Sequence, residues 1–470
     1  EFGVDPKGEL WKLPAQFVGP YAEQDARLAF DLYKFFRVEI NKQDLETIFD
    51  LETRLTPCLI DMTFRGIRVD LERCERSKQQ LLKREKQTYR DIAKEAGFEV
   101  EIWAATSLAK AFDKLKVAYP RTAKGAPSFT KAFLSENPHP FAKMIVEARN
   151  LNKIQGTFIN NIMKFVGSDC RIHGHINQLR SDEGGTVSGR LSMSNPNLQQ
   201  IPARDPELGP MIRSLFLPEE GELWAAIDYS QQEPRILTHY ASVFGTWKGL
   251  PLGGAKEFVD GYTNDPDMDF HTMVAEMANI SRKQAKTINL GMMYGMGVRK
   301  LADQLDLEFE DAKELTQQYH KRVPFVKELM NGVSRSVDQK SDGSLRSLKG
   351  RKCRFDMFEP MGYDVQKAMP LKEAKATYGE TAPLKRAYTY KALNRLIQAS
   401  AADMTKQAMV DLYEAGERPL LQVHDELGCS VTNVEHAKKI RAVMEAAIKL
   451  QVPSKCDIDL GPSWGETKEI

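Results

Sequence analysis

Cysteine motifs, long apolar runs, internal repeats and a strong net charge are all missing from this sequence of 470 residues. Its six cysteines include no C-x-x-C pair, which argues against a structural zinc site or a disulfide framework and favours a reducing compartment. No apolar run approaches the roughly 20 residues of a membrane-spanning helix. The formal net charge of +1 indicates no particular partner. We therefore expect a soluble protein with no membrane partner.

What is present indicates a large folded chain. With 42% hydrophobic residues, it can bury a substantial core and should divide into about two to four domains. Basic residues concentrate locally, since five lie between positions 281 and 301 with no acidic residue among them. The chain begins Glu1-Phe2-Gly3 without a methionine, so we expect it to be cut from a longer protein, and a targeting segment would then be lost.

Hydrophobic spacing and turn residues predict the secondary structure. Helices are predicted at 21–36, over most of 50–169 except a break at 119–128, over most of 239–385, and at 434–450. Strands are predicted around 171–176, and loops at 249–261 and 361–382.

Two acidic clusters nearly 200 residues apart carry the strongest chemical signal. An apolar run at 223–227 leads into Asp228, and another at 419–423 leads into His424-Asp425-Glu426, followed by an apolar return at 427–431. Each pattern predicts a buried strand that delivers carboxylates to the end of a sheet. Such charges must be paired, solvated or bound to metal. A shared divalent-metal site is the hypothesis, and ion pairing with nearby lysines or arginines is the alternative.

The basic segment between the clusters has helical spacing. Arg282, Lys286, Leu290 and Tyr294 lie four residues apart, so on a helix they form one ridge. The ridge offers two cations, an apolar surface and an aromatic hydroxyl, which matches the phosphates, base and sugar of a nucleoside triphosphate. An ordinary basic helix with a solvated face is the alternative.

Together these segments resemble DNA polymerase family A, the DNA polymerase I family. Residues 228–235 resemble its motif A, 282–295 its motif B, and 423–426 its motif C, while 186–192 and 196–202 resemble the segment that opens its palm. The resemblance implies an α+β right-hand fold with an antiparallel palm sheet and helical fingers and thumb. The implied domains are an exonuclease remnant at 1–49, a thumb at 50–169, a palm at 170–238 and 386–470, and fingers at 239–385. The long segment 361–382 suggests a phage or phage-like member.

The implied reaction is template-directed extension of a primer 3′-hydroxyl with dNTPs, which releases pyrophosphate. It would use two Mg²⁺ ions roughly 3.5 to 4 Å apart, with Mn²⁺ as a possible substitute. Asp228, Asp425 and the backbone carbonyl of Tyr229 are the implied metal ligands. Glu426 is expected to assist from nearby, because adjacent strand residues point to opposite faces. Lys286 is a candidate proton donor to the pyrophosphate.

The implied nucleotide site contains Arg282, Lys286, Leu290, Tyr294, His271, Glu233 and Gln231. Arg282 and Lys286 would hold the phosphates, and His271 would touch the β-phosphate, although a structural hydrogen bond is the alternative for His271. Tyr294 would stack near the templating base. Glu233, hydrogen-bonded to Tyr294, would exclude a ribose 2′-hydroxyl.

The implied DNA contacts are Arg190, Asn197, Gln199, Arg204, Asn394, Gln398 and His424. Asn394 and Gln398 lie four residues apart and can both face the minor groove, where every correct base pair presents acceptors at similar positions. For Arg204 a surface ion pair is the alternative. The basic helix at 73–90 would hold duplex phosphates.

Two positions depart from the family. Leu290 stands where Phe or Tyr is usual, so we expect poor acceptance of dideoxynucleotides. The run from Tyr21 to Asp25 resembles the last motif of the family's 3′-5′ exonuclease, but no earlier Asp-x-Glu partner precedes it. We therefore expect no exonuclease activity.

Two other functions stay open at this point, a single-subunit RNA polymerase and a catalytically silent DNA-binding scaffold. Glu233 argues against the first, and the intact Asp228, Lys286 and Asp425 argue against the second. The expected partners are primer-template DNA and dNTPs, with the protein acting as a monomer in the cytoplasm of a bacterial or phage-infected cell. An organellar location stays open because we expect the N-terminus to be truncated.

Overall fold

The computed structural model describes residues 7–122, 124–181, 184–201, 205–247, 252–293, 295–362 and 367–470. Its helices are α1 (Ala15–Lys42), α2 (Glu46–Arg65), α3 (Leu71–Ala96), α4 (Ala105–Lys114), α5 (Lys131–Glu136), α6 (Pro140–Lys153), α7 (Asn160–Phe165), α8 (Leu208–Arg213), α9 (Gln232–Trp247), α10 (Ala255–Asn264), α11 (Phe270–Ala278), α12 (Arg282–Met293), α13 (Val298–Leu305), α14 (Phe309–Arg322), α15 (Pro324–Gln339), α16 (Leu371–Tyr378), α17 (Ala392–Glu414) and α18 (Val434–Ala446).

The strands are β1 (Ile67–Val69), β2 (Arg171–Ile172), β3 (His175–Asn177), β4 (Ser192–Ser194), β5 (Phe216–Leu217), β6 (Leu223–Tyr229), β7 (Ser344–Arg346), β8 (Lys352–Arg354), β9 (Met357–Pro360), β10 (Met369–Pro370), β11 (Leu384–Arg386), β12 (Pro419–Val423), β13 (Glu426–Val431), β14 (Cys456–Gly461) and β15 (Lys468–Glu469). Short 3₁₀ helices lie at Lys7–Lys12, Leu198–Gln200 and Thr389–Lys391, and a π-helical turn at Ile154–Ile159 joins α6 to α7.

A five-stranded antiparallel sheet, in the order β12, β13, β6, β14, β15, organises the fold. Its middle strand β6 has the sequence LWAAIDY, and residues 224–227 are buried. Ile227 packs into the larger hydrophobic core, whereas Trp224 packs with Trp464 in a second core on the other face. A strand buried on both faces reads as a continuous apolar run, so a charged side chain first occurs near its end, at Asp228.

Helix α17 packs against α2, α9, α15 and α18 and is buried along most of its length. A helix that is apolar or small on nearly every side is stable only when it is surrounded by protein. Asn394 and Gln398 are half-exposed polar exceptions in its first two turns. The helix thus offers one narrow polar stripe to the outside.

Buried charges connect α17 to two other parts of the chain. Asp403 accepts a hydrogen bond from Arg351 Nε at 2.9 Å, and Lys406 Nζ donates to Glu52 Oε1 at 2.8 Å. Burial lowers the pKa of Lys406 to about 8, although Glu52 opposes that shift. Because an unpaired buried charge is strongly destabilising, these pairs fix α2 and the β7–β8 hairpin against α17.

A separate helical unit precedes the sheet. Asp70 begins α3 by accepting from the Arg73 N–H at 2.8 Å, and Gly97 ends it with a left-handed φ of 74°. Apolar side chains of α3, α4 and α6 form a third core around Phe112 and Phe141. Most basic residues of α3 are exposed, whereas Arg84 pairs with Glu147 of α6 and with Glu207.

A second helical layer, α9 to α15, is inserted between β6 and β12. Phe258 of α10 packs between Phe270 and Phe325, with ring centroids 4.9 and 5.1 Å apart. This aromatic contact fixes the start of α11, and α12 packs alongside it. The ridge predicted at Arg282, Lys286 and Leu290 therefore lies on a helix held by a rigid core.

The predicted helices at 21–36 and 434–450 and the strands at 171–176 are confirmed, although the second helix is shorter than predicted. The loop predicted at 249–261 is wrong over its second half, where α10 buries Phe258 and Tyr262 four residues apart. The loop predicted at 361–382 is also partly wrong, because β10 and α16 lie within it. In both segments, nearby glycines and prolines favoured a loop prediction, because the short elements contain too few apolar residues to show a clear periodicity. Strands β7 to β9 and β11 were not predicted within the mostly helical region.

The six cysteines are all free thiols, five of them buried and Cys170 exposed. Within the described ranges, no helix has both the length and the apolar character needed to cross a membrane.

Candidate active site

Three carboxylates meet at one end of the central sheet. In the strand register, Asp228 on β6 lies between Glu426 on β13 and Asp457 on β14. Directly paired residues of antiparallel strands carry their side chains on the same face. The sheet itself therefore gathers these acids, two of which, Asp228 and Glu426, were predicted from the sequence.

Asp425 joins the group from the turn between β12 and β13. Its backbone carbonyl accepts from the Tyr229 N–H at 3.2 Å, and its side chain lies close enough to that of Asp228 to raise the pKa of the Asp228 carboxyl group. His424, the other turn residue, is exposed and has a φ of 59°, a conformation that two-residue hairpin turns require. The expectation that Asp425 and Glu426 alternate as consecutive strand residues is wrong, because only Glu426 belongs to the strand.

Glu426 is held in place by the end of the chain. Trp464 Nε1–H donates to Glu426 Oε1 at 2.8 Å, and the Arg213 guanidinium lies 4.4 Å from the centroid of the Trp464 ring. Burial raises the pKa of Glu426, while Arg213 and the Trp464 hydrogen bond oppose the rise. The carboxyl group therefore has a fixed orientation beside the two aspartates.

The Asp228 side chain is exposed, yet the surrounding protein desolvates it. Desolvation, with the negative charges of Asp425 and Glu426, raises the pKa of Asp228 to about 8. Both observations fit a carboxylate that solvent reaches but that protein surrounds on most sides. A site with excess negative charge attracts cations.

The described residues contain no group of three His, Cys, Asp or Glu side chains arranged to hold a metal ion. Asp228 and Asp425 supply two carboxylates, and the Tyr229 carbonyl is adjacent in sequence. Mg²⁺ prefers oxygen donors, and it commonly uses only one or two protein carboxylates, with water and substrate phosphates completing its coordination. The donor set fits Mg²⁺ on that basis.

Gln231 connects the acidic end of β6 to the start of α11. Its Nε2 donates to the Met268 carbonyl at 2.9 Å, and its Oε1 accepts from the Phe270 N–H at 2.8 Å. Tyr262 Oη–H also donates to Oε1, at 3.3 Å. Gln231 thus holds the inserted helices at a fixed distance from Asp228.

Arg282 and Lys286 both lie exposed on α12. Arg282 is paired with Asp269 at 2.7 Å, whereas Lys286 has no hydrogen-bond or ion-pair partner among the described residues. Burial alone would raise the pKa of Asp269, but hydrogen bonds from Arg282 and Thr272 outweigh it and lower that pKa to about 2. Leu290 is half-buried on the same ridge. Tyr294 lies outside the described residues.

His271 is buried near the start of α11. Its Nδ1 lies 3.0 Å from Asn289 Nδ2, and Asn289 Oδ1 accepts from the Tyr319 hydroxyl at 2.7 Å. Burial lowers the pKa of His271. The structural hydrogen bond that was the alternative for His271 is therefore present at one ring nitrogen.

Glu233, at the start of α9, forms an ion pair with Arg190 at 2.7 Å. Both side chains are mostly buried, with 16% and 28% of their surface exposed. The hydrogen bond predicted between Glu233 and Tyr294 lies outside the described residues. Glu233, which is predicted to contact the sugar, and Arg190, which is predicted to contact DNA, are thus neighbours.

The remaining predicted DNA contacts differ in their surroundings. The Asn394 and Gln398 side chains form no hydrogen bond within the described ranges and share the polar stripe of α17. Asn197 accepts from the Gln199 N–H at 3.1 Å, and Gln199 Nε2 donates to Gln422 Oε1 at 3.0 Å, so both have internal partners. Arg204 lies outside the described residues.

Comparison with known proteins identifies the family. The family model for "DNA polymerase family A" matches residues 71–466. The chain belongs to DNA polymerase family A. It is therefore a DNA-directed DNA polymerase with the predicted α+β polymerase fold.

Similar proteins come from phages and bacteria. The polymerase is 35% identical to the DNA-directed DNA polymerase of Pseudomonas phage M6, over 99% of this chain and 73% of that protein. It is 31% identical to DNA polymerase I of Geobacillus stearothermophilus, over 91% of this chain and 47% of that protein. A solved structure, the POL domain of Pol1 from M. smegmatis in complex with DNA primer-template and dNTP, matches with a TM-score of 0.74 and 27% identity over 93% of this chain and 74% of that one. The expected phage-like membership is confirmed.

Several site residues of the polymerase escaped the sequence analysis. Asp457 and Trp464 lie in the C-terminal segment, where no motif marked them, and only the pairing of β14 with β6 brings them to the site. Asp269 lies two residues before His271, and its position before a predicted helix could have identified it as a helix cap. Asn289 lies inside the predicted ridge segment, but its partner Tyr319 carries no local signal.

Proposed function

We propose that the polymerase extends a primer 3′-hydroxyl on a DNA template with dNTPs, by a two-metal phosphoryl transfer that releases pyrophosphate. One observation carries this proposal: the carboxylate end of the sheet is joined to the cationic helix through fixed contacts. Gln231 binds the start of α11, and Asp269 in that segment binds Arg282 of α12. Acids that suit metal and cations that suit phosphate thus lie on one connected frame.

Asp228, Asp425 and the Tyr229 carbonyl are the proposed holders of two Mg²⁺ ions, with Mn²⁺ as a possible substitute. When bound, the ions would neutralise charge on the attacking and leaving oxygens. The close, desolvated carboxylates support this assignment, because such a group is unfavourable without a cation. Glu426, fixed by Trp464, would assist from beside the two aspartates.

Arg282, Lys286 and His271 are proposed to bind the triphosphate. Arg282 would exchange Asp269 for a phosphate, whereas Lys286 is already without a partner among the described residues. Lys286 would also donate a proton to the leaving pyrophosphate. Leu290 would pack against the sugar, Tyr294 would stack near the templating base, and Gln231 would support this pocket from below.

Primer-template DNA is the proposed macromolecular partner. The half-exposed Asn394 and Gln398 support a minor-groove contact, and exposed His424 lies beside Asp425 at the position proposed for the primer terminus. Arg190, Asn197, Gln199 and Arg204 are proposed to contribute further DNA contacts, although Asn197 and Gln199 would exchange internal hydrogen bonds for them. The exposed basic residues of α3 support a duplex-binding role for that helix.

The proposed domains follow the described cores. The third core supports a thumb within 50–169, and the central sheet supports a palm at 170–238 and 386–470. The aromatic core of α10, α11 and α15 supports fingers at 239–385. Residues 1–49 would be an exonuclease remnant. We propose that the polymerase acts as a monomer.

We propose that this chain has no 3′-5′ exonuclease activity. Tyr21 and Asp25 lie on α1, which buries none of its side chains, and Asp25 raises the pKa of Tyr21. A two-metal nuclease needs several carboxylates around its ions, and the motif at 21–25 supplies one aspartate. Incubation of a 5′-labelled primer-template with Mg²⁺ and no dNTP should leave the primer intact; shortening of the primer would overturn the proposal.

Primer extension tests the function as a whole. The polymerase is incubated with labelled primer-template, Mg²⁺ and either dNTPs, NTPs or a dNTP and ddNTP mixture. We expect extension with dNTPs but not with NTPs. In the equimolar mixture of dNTP and ddNTP, we expect little chain termination. Efficient extension with NTPs would favour an RNA polymerase, and no extension with either would favour a DNA-binding scaffold.

Replacing Glu233 by alanine should lower the preference for dCTP over CTP by at least about tenfold, because the smaller side chain leaves room for a 2′-hydroxyl. The measurement is the ratio of kcat/KM for the two nucleotides on one primer-template. Arg190→Met is the matched control, since it removes the same ion pair but keeps the Glu233 side chain. If Arg190→Met relaxes the sugar preference equally, the ion pair and not the bulk of Glu233 sets that preference.

A further inference from the structure

Three buried polar side chains form a row from the core of the inserted helices to the cationic ridge. Tyr319 of α14 is fully buried, Asn289 of α12 is 1% exposed, and His271 of α11 is 7% exposed. The Tyr319 hydroxyl lies 2.7 Å from Asn289 Oδ1, and Asn289 Nδ2 lies 3.0 Å from His271 Nδ1. Three different helices thus contribute to one hydrogen-bonded chain.

Tyr319, at the buried end of the row, determines which atom donates and which accepts in each of its hydrogen bonds. The Tyr319 hydroxyl has Asn289 as its single hydrogen-bond partner among the described residues. A buried hydroxyl hydrogen without an acceptor is costly, whereas an unused oxygen lone pair costs less. Tyr319 must therefore donate to the amide oxygen of Asn289, and the Asn289 NH₂ group must face His271.

The orientation of Asn289 then determines the tautomer of His271. An NH₂ group facing Nδ1 requires Nδ1 to be the acceptor, so the proton of the neutral ring lies on Nε2. His271 Nε2 has no partner in the described part of the chain and is not among the buried polar atoms left unsatisfied there, so solvent reaches it. The only free polar position of the ring is thus a donor.

We propose that Tyr319 and Asn289 are positioning residues that hold His271 as an Nε2–H donor to the triphosphate of the incoming nucleotide. This inference rests on the proposed function, in which His271 contacts a phosphate. The other tautomer would present the Nε2 lone pair to an anionic phosphate oxygen and repel it. The hydrogen bonds of the row disfavour that tautomer in the free enzyme, so nucleotide binding spends no free energy on changing the tautomer.

The surrounding charges agree with a neutral ring. Burial lowers the pKa of His271, Asp269 opposes this, and Lys286 and Arg282 lower the pKa further. A neutral histidine carries its proton on either Nδ1 or Nε2, so the orientation of Asn289 decides whether Nε2 can donate. Between them, Arg282 and Lys286 would supply charge, and His271 would supply a directional hydrogen bond.

Histidine NMR on the free, perdeuterated enzyme with ¹⁵N-labelled histidine tests the tautomer without nucleotide. Loss of one signal set in His271→Gln assigns the residue. In the wild type, Nδ1 should be unprotonated and Nε2 protonated. Tyr319→Phe should give a mixture of tautomers, because Asn289 can then rotate its amide. Asn289→Asp should move the proton to Nδ1 or produce a cationic ring, because a carboxylate can only accept.

Steady-state kinetics supplies the second readout. Tyr319→Phe should raise KM for dNTP by about five- to tenfold, the effect of one misdirected hydrogen bond, with kcat within about twofold. Tyr240→Phe is the matched control, since it removes a tyrosine hydroxyl that bonds Ser400 at 2.7 Å and belongs neither to this row nor to the proposed binding residues, and it should change neither value. Melting temperatures establish that each variant is folded.

The outcomes separate this inference from the proposed function. Protonated Nδ1 in the wild-type enzyme, or an unchanged tautomer in Tyr319→Phe, would overturn the positioning role, and the wild-type spectrum needs no variant to fold. An unchanged KM for dNTP in His271→Gln would instead show that His271 does not contact the nucleotide, even if the NMR result holds. The predicted tautomers together with a raised KM in both His271→Gln and Tyr319→Phe would support both.

Discussion

Asp228→Asn should lower kcat for primer extension by about 10³-fold or more, the scale expected when a main charge-stabilising group of a phosphoryl-transfer site is lost. Asparagine keeps the size of the side chain but removes the negative charge that a divalent cation needs. Rapid-quench measurement of single-nucleotide incorporation gives the chemical step directly. The melting temperature of the metal-free variant should not fall, because the neutral amide would relieve repulsion with Asp425 and Glu426.

Asp457→Asn is the matched control for that experiment. Asp457 pairs with Asp228 across the sheet, so the control removes the same charge from the same face one strand away. Lys455 already pairs with Asp457 at 3.3 Å, and we expect kcat within about threefold of wild type. Equal losses of kcat in the two variants would mean that the acidic end of the sheet acts only through its total charge. A kcat of Asp228→Asn within tenfold of wild type would show that Asp228 is not a required metal ligand.

The acidic end of the sheet was predictable because its signals are local. The apolar runs before Asp228 and His424 follow from the burial of β6 and β12, and the short segment between β12 and β13 allows only a tight hairpin. What the sequence could not determine was the register between β6 and β13, which lie far apart in the chain. That register decides that Glu426 shares a face with Asp228, and the alternation rule failed because the turn includes Asp425.

Contacts formed only by tertiary packing had no sequence signal. Trp464 reaches Glu426 from the C-terminal segment, and Tyr319 reaches Asn289 from a helix that begins well beyond the ridge. The segment around α10 was misjudged for a related reason, since its glycines and proline favoured a loop although the two aromatic side chains of the helix are buried in the core. Short helices depend on tertiary packing more than on their own propensity.

Two of the cations proposed to bind ligands are paired with acids in the polymerase. Arg282 is bound to Asp269, and Arg190 to Glu233. We expect nucleotide and primer to replace these acidic partners. The free energy that each new contact adds to binding is then the difference between the new interaction and the ion pair that it replaces. Exposed pairs are worth only about 0 to 1 kcal/mol, which makes the exchange easy at Arg282. Lys286 has no such partner among the described residues, so its charge is available in full.

Lys286→Met should therefore have the largest effect on the ridge, lowering kcat/KM for dNTP by about 10²- to 10³-fold through loss of phosphate binding and of the proposed proton donor. Lys283→Met is the matched control, because Lys283 is an exposed lysine on the same helix but off the ridge, and its loss should cost less than about threefold. Equal effects of the two variants would mean that Lys286 contributes only to the general positive potential of α12.

Lys286→Arg separates the two roles of the lysine. Arginine retains the positive charge but does not release a proton at neutral pH, so KM for dNTP should stay within about threefold of wild type while kcat falls by about tenfold or more. Full recovery of kcat in Lys286→Arg would leave phosphate binding as the whole contribution of Lys286 and exclude it as the proton donor. Recovery of neither value would indicate that the site requires the compact ammonium group, since the broad guanidinium cannot occupy the same position between the phosphates.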